Sequence, residues 1–311
     1  MVEDSEIKTA ISPFAIREGE IKSFDGKDGY VSINQIITKI NLGHLSDVHF
    51  RILDLINEFE FLTSRQIFQL LTHRGIVIKS QDKLNSKLDQ LVKSKILTRY
   101  YFTSEDSKGI FRVYCMEKMG KYLLTSKEIE CKWQPTDNTK PVPLMKKRLA
   151  GNQTIIAYMR KSHNFNSYKV KNEITGKMSG KTIKGHGEVV LEKSGKSISL
   201  IFECVRREED WEKKFIDRMK IYKDFLENFV QFDSGFERRP QLIFLCEDER
   251  HMVEVFKEIL KNKMEIEKNK IYYTTDLKQN EESLSKTLTE FKKNEETGKY
   301  IAENVDFKIL E

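Results

Sequence analysis

The stretch SQDKLNSKLDQLVKSKILTRYYF, residues 80–102, changes its hydrophobic period halfway along. In its first part Leu84, Leu88 and Leu91 recur at helical spacing while Gln81, Lys83, Asn85, Ser86 and Lys87 fall elsewhere, so the spacing predicts an amphipathic helix opened by Ser80. In its second part ILTRYYF is strand-like. With the polar tip TSEDSKG and the run IFRVYCM it predicts a β-hairpin ending at Met116. Upstream, DVHFRILDLINEF (47–59) sets Phe50, Leu53, Ile56 and Phe59 on one helical face, widened by Ile52 and Leu55. Thr63-Ser64 then caps RQIFQLL, a second short helix that turns Ile67, Leu70 and Leu71 inward. The predicted order is three helices followed by a hairpin.

Around this stretch lie 311 residues, enough for about two domains on a prior of one per 100–200 residues. With 39% apolar and 33% charged residues interspersed, the composition is that of a globular protein. No apolar run approaches a membrane span, and the opening MVEDSEIKTA is acidic where a signal peptide is basic and then apolar, so a cytoplasmic protein without membrane partners is expected. Cys115, Cys131, Cys204 and Cys246 are far apart and suggest buried thiols, neither a CxxC zinc pair nor a disulfide framework.

The net charge of +6 is modest, but it is unevenly placed. Residues 1–43 form an acidic leader with 5 basic and 7 acidic residues, and residues 201–311 are also acidic overall. Residues 44–125 carry +4 and residues 126–200 carry +9, from 15 basic and 6 acidic residues. Such a distribution permits binding to nucleic acid along the middle of the chain.

Three of the five prolines, Pro135, Pro141 and Pro143, fall in QPTDNTKPVP, which reads as a linker over 126–143 with a boundary near 140; Trp133 is placed to dock it onto one domain. The domain expected over 144–311 opens with the basic helix MKKRLAGNQTIIAYMRKSH. Strand-like segments SYKVKNEI, HGEVVLEK and SISLIFECV follow, then a long helix over about 210–229, the buried strand QLIFLC, the helix DERHMVEVFKEILKNK, the strand KIYYTTD and a polar helix EESLSKTLTEFKK. This order predicts a mixed sheet with helices on both faces, and an α+β chain overall.

Residues 44–125 resemble the winged helix-turn-helix family, through TSRQIFQLL, the 80–102 stretch and GIFRVYCM. The resemblance implies that the third helix enters the major groove of double-stranded DNA with Ser80, Gln81, Lys83, Asn85 and Lys87 as readers, while Arg99, Lys108 and Arg112 on the wing touch phosphate. Amides pair with adenine, and lysine with guanine or phosphate.

The second domain resembles the PD-(D/E)XK restriction-endonuclease-like fold through HGEVVLEKSGKSISLIFECV. Such nucleases hold Mg²⁺ between carboxylates on adjacent strands, with a lysine two residues after the second. The resemblance puts Glu188 and Glu203 at the two carboxylate positions, as catalytic and metal-binding residues if the domain is active. Val205 stands where the lysine would be, so an inactive domain without a resident cofactor is expected. Displaced positive groups are available at Arg206, Arg207, Lys213 and Lys214, and Arg218-x-x-x-Tyr222 is similar to a motif of some branches of that fold. Together the two domains resemble the replication-relaxation family of bacterial plasmids and mobile elements, over about residues 47–260. That implies a DNA-binding accessory protein. Its alternatives are a metal-dependent endonuclease and a scaffold whose acidic last third recruits a relaxase or replication protein.

Other motifs fail on spacing. GKMSGKT (176–182) is one residue short of a phosphate loop and reads as a basic β-turn, and His186-Gly187-Glu188 lacks the PCxxC of a zinc deaminase.

Overall fold

The computed structural model describes residues 11–104, 111–266, 271–281, 283–307 and 309, and contains both helices and sheets, a mixed α+β chain. It divides into two units, Arg17–Leu149 and a C-terminal unit of Ala150–Glu311 that also includes the segment ending at Ile16. No helix among the described residues is long and apolar enough to cross a membrane.

In the Arg17–Leu149 unit the elements run β1 (Ile21–Phe24), α1 (Ile33–Asn41), α2 (Asp47–Phe59), β2 (Phe61–Thr63), α3 (Ser64–His73), α4 (Gln81–Lys93), β3 (Leu97–Thr103), β4 (Phe111–Met116) and α5 (Lys118–Thr125). A 3-10 turn at Pro135–Thr139 follows. The helix starts are fixed locally. Thr63 and Gln66 exchange side-chain and backbone hydrogen bonds in a capping box at α3, and the Ser80 hydroxyl accepts from the Lys83 amide at α4. The apolar stripe of α2 packs as its spacing requires, with Ile52, Leu53, Leu55, Ile56 and Phe59 no more than 1% exposed. Each such side chain contributes about 1.5–3 kcal/mol relative to exposure. The strands form one antiparallel sheet in the order β1-β3-β4-β2, the predicted hairpin lying at its centre.

Two expected boundaries move. Residues 21–24 and 33–41 of the expected leader form β1 and α1, and β1 pairs with β3 as a fourth strand. Residues 126–143 are not an extended linker: Asn138 is buried and donates to the Met116 carbonyl at 2.9 Å, while Lys22 Nζ donates to the Asn138 and Lys140 carbonyls. The Trp133 indole bonds within the segment, donating to Asn138 Oδ1 at 3.2 Å, while its carbonyl accepts from Lys121 Nζ at 3.0 Å. Hydrogen bonds to residues distant in sequence, Met116 and Lys22, turned a proline-rich stretch into packed structure, and the division falls after Leu149.

Helix α6 (Val142–Lys161) carries that division. After it come β5 (Phe165–Lys169), β6 (Glu173–Thr175), β7 (Thr182–Lys184), β8 (Gly187–Lys193), β9 (Lys196–Cys204), α7 (Trp211–Glu227), α8 (Gln231–Ser234), β10 (Gln241–Cys246), α9 (Glu249–Lys261), β11 (Ile271–Thr275), α10 (Asp276–Glu281), β12 (Thr289–Lys293) and β13 (Tyr300–Asn304). The sheet order is β13-β12-β11-β10-β9-β8-β5, with β9, β10 and β11 parallel and the flanking pairs antiparallel. One face packs Ile201, Val205, Leu242 and Phe244 against Phe215, Met219 and Tyr222 of α7 and Val255 and Phe256 of α9. On the other, Tyr158 of α6 meets Phe202, ring centroids 5.4 Å apart.

Two elements differ from the pattern read in the sequence. SYKVKNEI breaks after Lys169, and Glu173–Thr175 pairs instead with β7 as a separate hairpin whose turn contains GKMSGK. The expected polar helix at 281–293 is a 3-10 turn (Leu284–Lys286) followed by strand β12. There Phe291 stacks on Phe256 at 4.0 Å, an aromatic contact that outweighs the weak helical propensity of a Thr-rich stretch.

Candidate functional site

The capped N-terminus of α4 presents polar groups because its apolar residues, Leu84, Leu88, Leu91 and Val92, are all consumed by the core. Ser80 and Lys83 are exposed, and Gln81, Asn85 and Lys87 are half-buried. Gln81 Nε2 donates to Asn85 Oδ1 at 3.2 Å, one turn along the helix. Four of the five expected readers thus lie on α4 and Ser80 caps it, with Ser80 and Lys83 the exposed ones. Below them His49 is held by the Ser46 amide at Nδ1 and by Gln90 at 2.7 Å on Nε2, a link from α2 to α4; burial lowers its pKa.

The wing positions are placed differently. Arg99 Nη1 pairs with Asp89 and its Nε with Asp25 at 2.8 Å, while Arg112 Nε reaches the same Asp25 carboxylate at 3.0 Å. Arg99 is mostly covered, its side chain 16% exposed, so it is part of an internal ion-pair network rather than an open phosphate contact. Arg112 remains exposed. Lys108 lies outside the described residues. Asp25, within the expected leader, was not legible as the partner of either arginine because nothing local links residues so far apart.

The same holds for the basic start of α6. Lys146 is fully buried against Glu20, Arg148 Nε lies 3.2 Å from Glu60, and Lys140 pairs with Glu60 and Asp137. Of the positive stretch 140–200, this part is neutralised internally.

In the C-terminal unit, Glu188 of β8 stands opposite Ile201 of β9, so Glu188 and Glu203 lie on the same sheet face of adjacent strands. Their surroundings differ. Glu203, 3% exposed, accepts from Arg218 Nε and Nη2, each at 2.6 Å, and from the Tyr222 hydroxyl at 2.7 Å; His186 Nδ1 stands 3.3 Å away. Burial alone would raise this carboxyl, but Arg218 and then His186 hold it well below the usual carboxylate range. Glu188 is equally buried, with Lys169 Nζ 3.3 Å from Oε2, and there burial pushes the carboxyl up. Val205, where the nuclease resemblance would place a lysine, is 4% exposed within the core. The two carboxylates are thus directed to separate cationic partners, and no group of three or more His, Cys, Asp or Glu side chains fit to hold a metal occurs among the described residues. Arg218 and Tyr222 were legible in sequence only as a spaced pair; their convergence on Glu203 follows from α7 crossing β9.

A third cluster was touched by the sequence reading only at Arg206. Arg206, Glu247 and Asp276 lie within two residues of the ends of the parallel strands β9, β10 and β11, and all are buried. Arg206 Nη2 donates to Asp276 Oδ1 at 2.8 Å, Ser12 donates to the other Asp276 oxygen, and the Ile16 amide donates to Glu247 at 2.9 Å. The neighbouring His251 is fully buried and accepts from the Glu247 amide; burial, with Arg207 and Arg206 close by, lowers its pKa to about 3. Compared with models of protein families, with curated proteins and with solved structures, the chain matches none.

Proposed function

We propose that the chain is a DNA-binding protein whose Arg17–Leu149 unit is a winged helix, with α4 laid in the major groove of duplex DNA. The observation that carries this reading is the order α2, β2, α3, α4, β3, β4 combined with an α4 whose capped N-terminal turn exposes Ser80 and Lys83 beside Gln81 and Asn85. Lysine and amide side chains at that position supply base-edge and phosphate contacts. The C-terminal unit is proposed as a nuclease-like domain of the PD-(D/E)XK type in which Glu203 serves as an internal counter-ion, because Arg218 and Tyr222 already donate to both carboxylate oxygens. Together these parts support a place beside the replication-relaxation proteins of plasmids and mobile elements, with a relaxase or replication protein as the class of partner.

The experiment is selection of bound duplexes from a random pool with Mg²⁺ present, repeated with Gln81, Lys83 and Asn85 replaced together by alanine. Enrichment of a site by the wild type and its loss in the variant is the expected result; the same enriched site from both proteins removes α4 as the reader. Mg²⁺- or Mn²⁺-dependent cleavage abolished by Glu203→Ala would replace this reading with the endonuclease one.

A further inference from the structure

Exposed cations of the basic stretch also occur at Arg160, Lys193 and Lys196, but the β6–β7 hairpin gathers three of them on one short element. Lys140, Lys146 and Arg148 are paired with carboxylates, and Lys161 Nζ donates to the Gln279 and Asn280 carbonyls. By contrast Lys177 and Lys181 stand exposed on the turn, and Lys184 is exposed at the end of β7. Lys184 lies 3.7 Å from Glu173 with both side chains about two-thirds exposed, a pairing worth little in water.

This hairpin is mounted rigidly. Ile174, 0% exposed, is inserted into the core beside Tyr222 and Phe225. The Asp224 carboxylate on α7 accepts from the Met178 and Ser179 amides at 3.0 and 2.8 Å, fixing the tip. Within the turn Gly176 donates to the Lys181 carbonyl, and Gly180 takes a φ of +63°, which glycine adopts without strain. On the outward face Thr175 and Thr182 share a hydroxyl hydrogen bond at 2.9 Å. Cations displayed on a preordered turn lose little entropy on binding.

We propose that this hairpin is a second, sequence-independent nucleic-acid contact, in which Lys177, Lys181 and Lys184 neutralise backbone phosphates and the hydroxyls of Thr175 and Thr182 hydrogen-bond to them. Lysine and hydroxyl side chains are the types that position a protein on a duplex without reading its bases. An anionic membrane requires apolar surface to insert, and the hairpin exposes a single Met178 at its tip. A peptide partner requires an anchoring side chain, whereas the outward strand face consists of Glu173, Thr175, Thr182 and Lys184. The inference rests on the DNA-binding reading, but it concerns a different surface from α4.

The test is the salt dependence of binding by the full chain to a mixed-sequence duplex. Replacing Lys177, Lys181 and Lys184 together by alanine is expected to lower the slope of log K against log salt by about 2.7, since each phosphate contact contributes about 0.9. The corresponding arginine variant is expected to keep the wild-type slope. An alanine variant with an unchanged slope overturns the hairpin contact. A lowered slope in that variant, with Gln81, Lys83 and Asn85 variants behaving as wild type, leaves the hairpin standing and removes α4; a wild type that binds no duplex removes both. Independently of any substitution, saturating duplex is expected to protect these three lysines of the wild-type chain from an amine-modifying reagent. Unprotected lysines, or protection by anionic vesicles but not by DNA, would overturn the proposal.

Discussion

Ser12 and Asp276 are 264 residues apart in sequence, yet the Ser12 hydroxyl donates to the Asp276 carboxylate inside the C-terminal unit. Asp276 is also the counter-ion of the fully buried Arg206. Removing the hydroxyl with Ser12→Ala takes one hydrogen bond from a charged group and is expected to cost about 1.5–3 kcal/mol. Asp276→Ala strands a buried guanidinium and is expected to cost about 3–5 kcal/mol. Urea unfolding followed by circular dichroism measures both. Equal losses from the two substitutions would contradict the ranking.

His251 makes the C-terminal unit sensitive to acid. Its pKa is about 3 in the folded chain against an ordinary 6.5, so the unfolded chain takes up a proton that the folded one refuses. The stabilisation is complete above about pH 6.5 and is lost as pH falls towards 3, by about 1.4 kcal/mol per pH unit across that window. Protonation at Nδ1 would also remove the acceptor of the Glu247 amide. A His251→Gln variant should show a flatter stability profile between pH 6.5 and 4; a profile as steep as the wild type's assigns the acid loss to other groups.

Asp25 restrains the two arginines expected on the wing. With Asp25→Asn, Arg112 loses its carboxylate partner, while Arg99 keeps Asp89 and the Asp25 backbone carbonyl. Duplex affinity is expected to rise several-fold at low salt, and the salt slope to steepen by about 0.9 for each arginine that gains a phosphate. Fluorescence anisotropy across a salt series reads both quantities. Unchanged binding would show that neither arginine approaches the duplex.

Gly151 lies within α6, where alanine is ordinarily preferred by about 1 kcal/mol. A Cβ at this position would fall 2.2 Å from the His186 carbonyl oxygen, a backbone atom that cannot turn aside. Gly151→Ala is therefore expected to destabilise the unit by about 1–3 kcal/mol, as overpacking does. A variant that melts at or above the wild-type temperature would mean that helix and strand separate easily.

The residues that make α2, α3 and α4 were legible because their information is local: apolar spacing, a Ser or Thr in extended backbone before each helix, and a change of period at Ile96 and Leu97. The order of the main strands and helices over 187–275 was legible for the same reason. Segments whose state depends on a distant partner were not. Leu288 to Lys293 looked helical until β13 and Phe256 were beside them, and the proline-rich stretch looked open until Asn138 found the Met116 carbonyl.

Charge illustrates the division between the two levels. The sequence by itself determined how many cations the middle of the chain holds. Only the tertiary structure decided which are available, because Coulomb attraction depends on distance in space and on burial, not on separation along the chain. Glu20, Asp25 and Glu60 neutralise Lys146, Arg99 with Arg112, and Lys140 with Arg148; Glu203 holds Arg218. Lys83 at the start of α4, and Lys177 and Lys181 on a hairpin that the sequence read only as a turn, remain facing solvent.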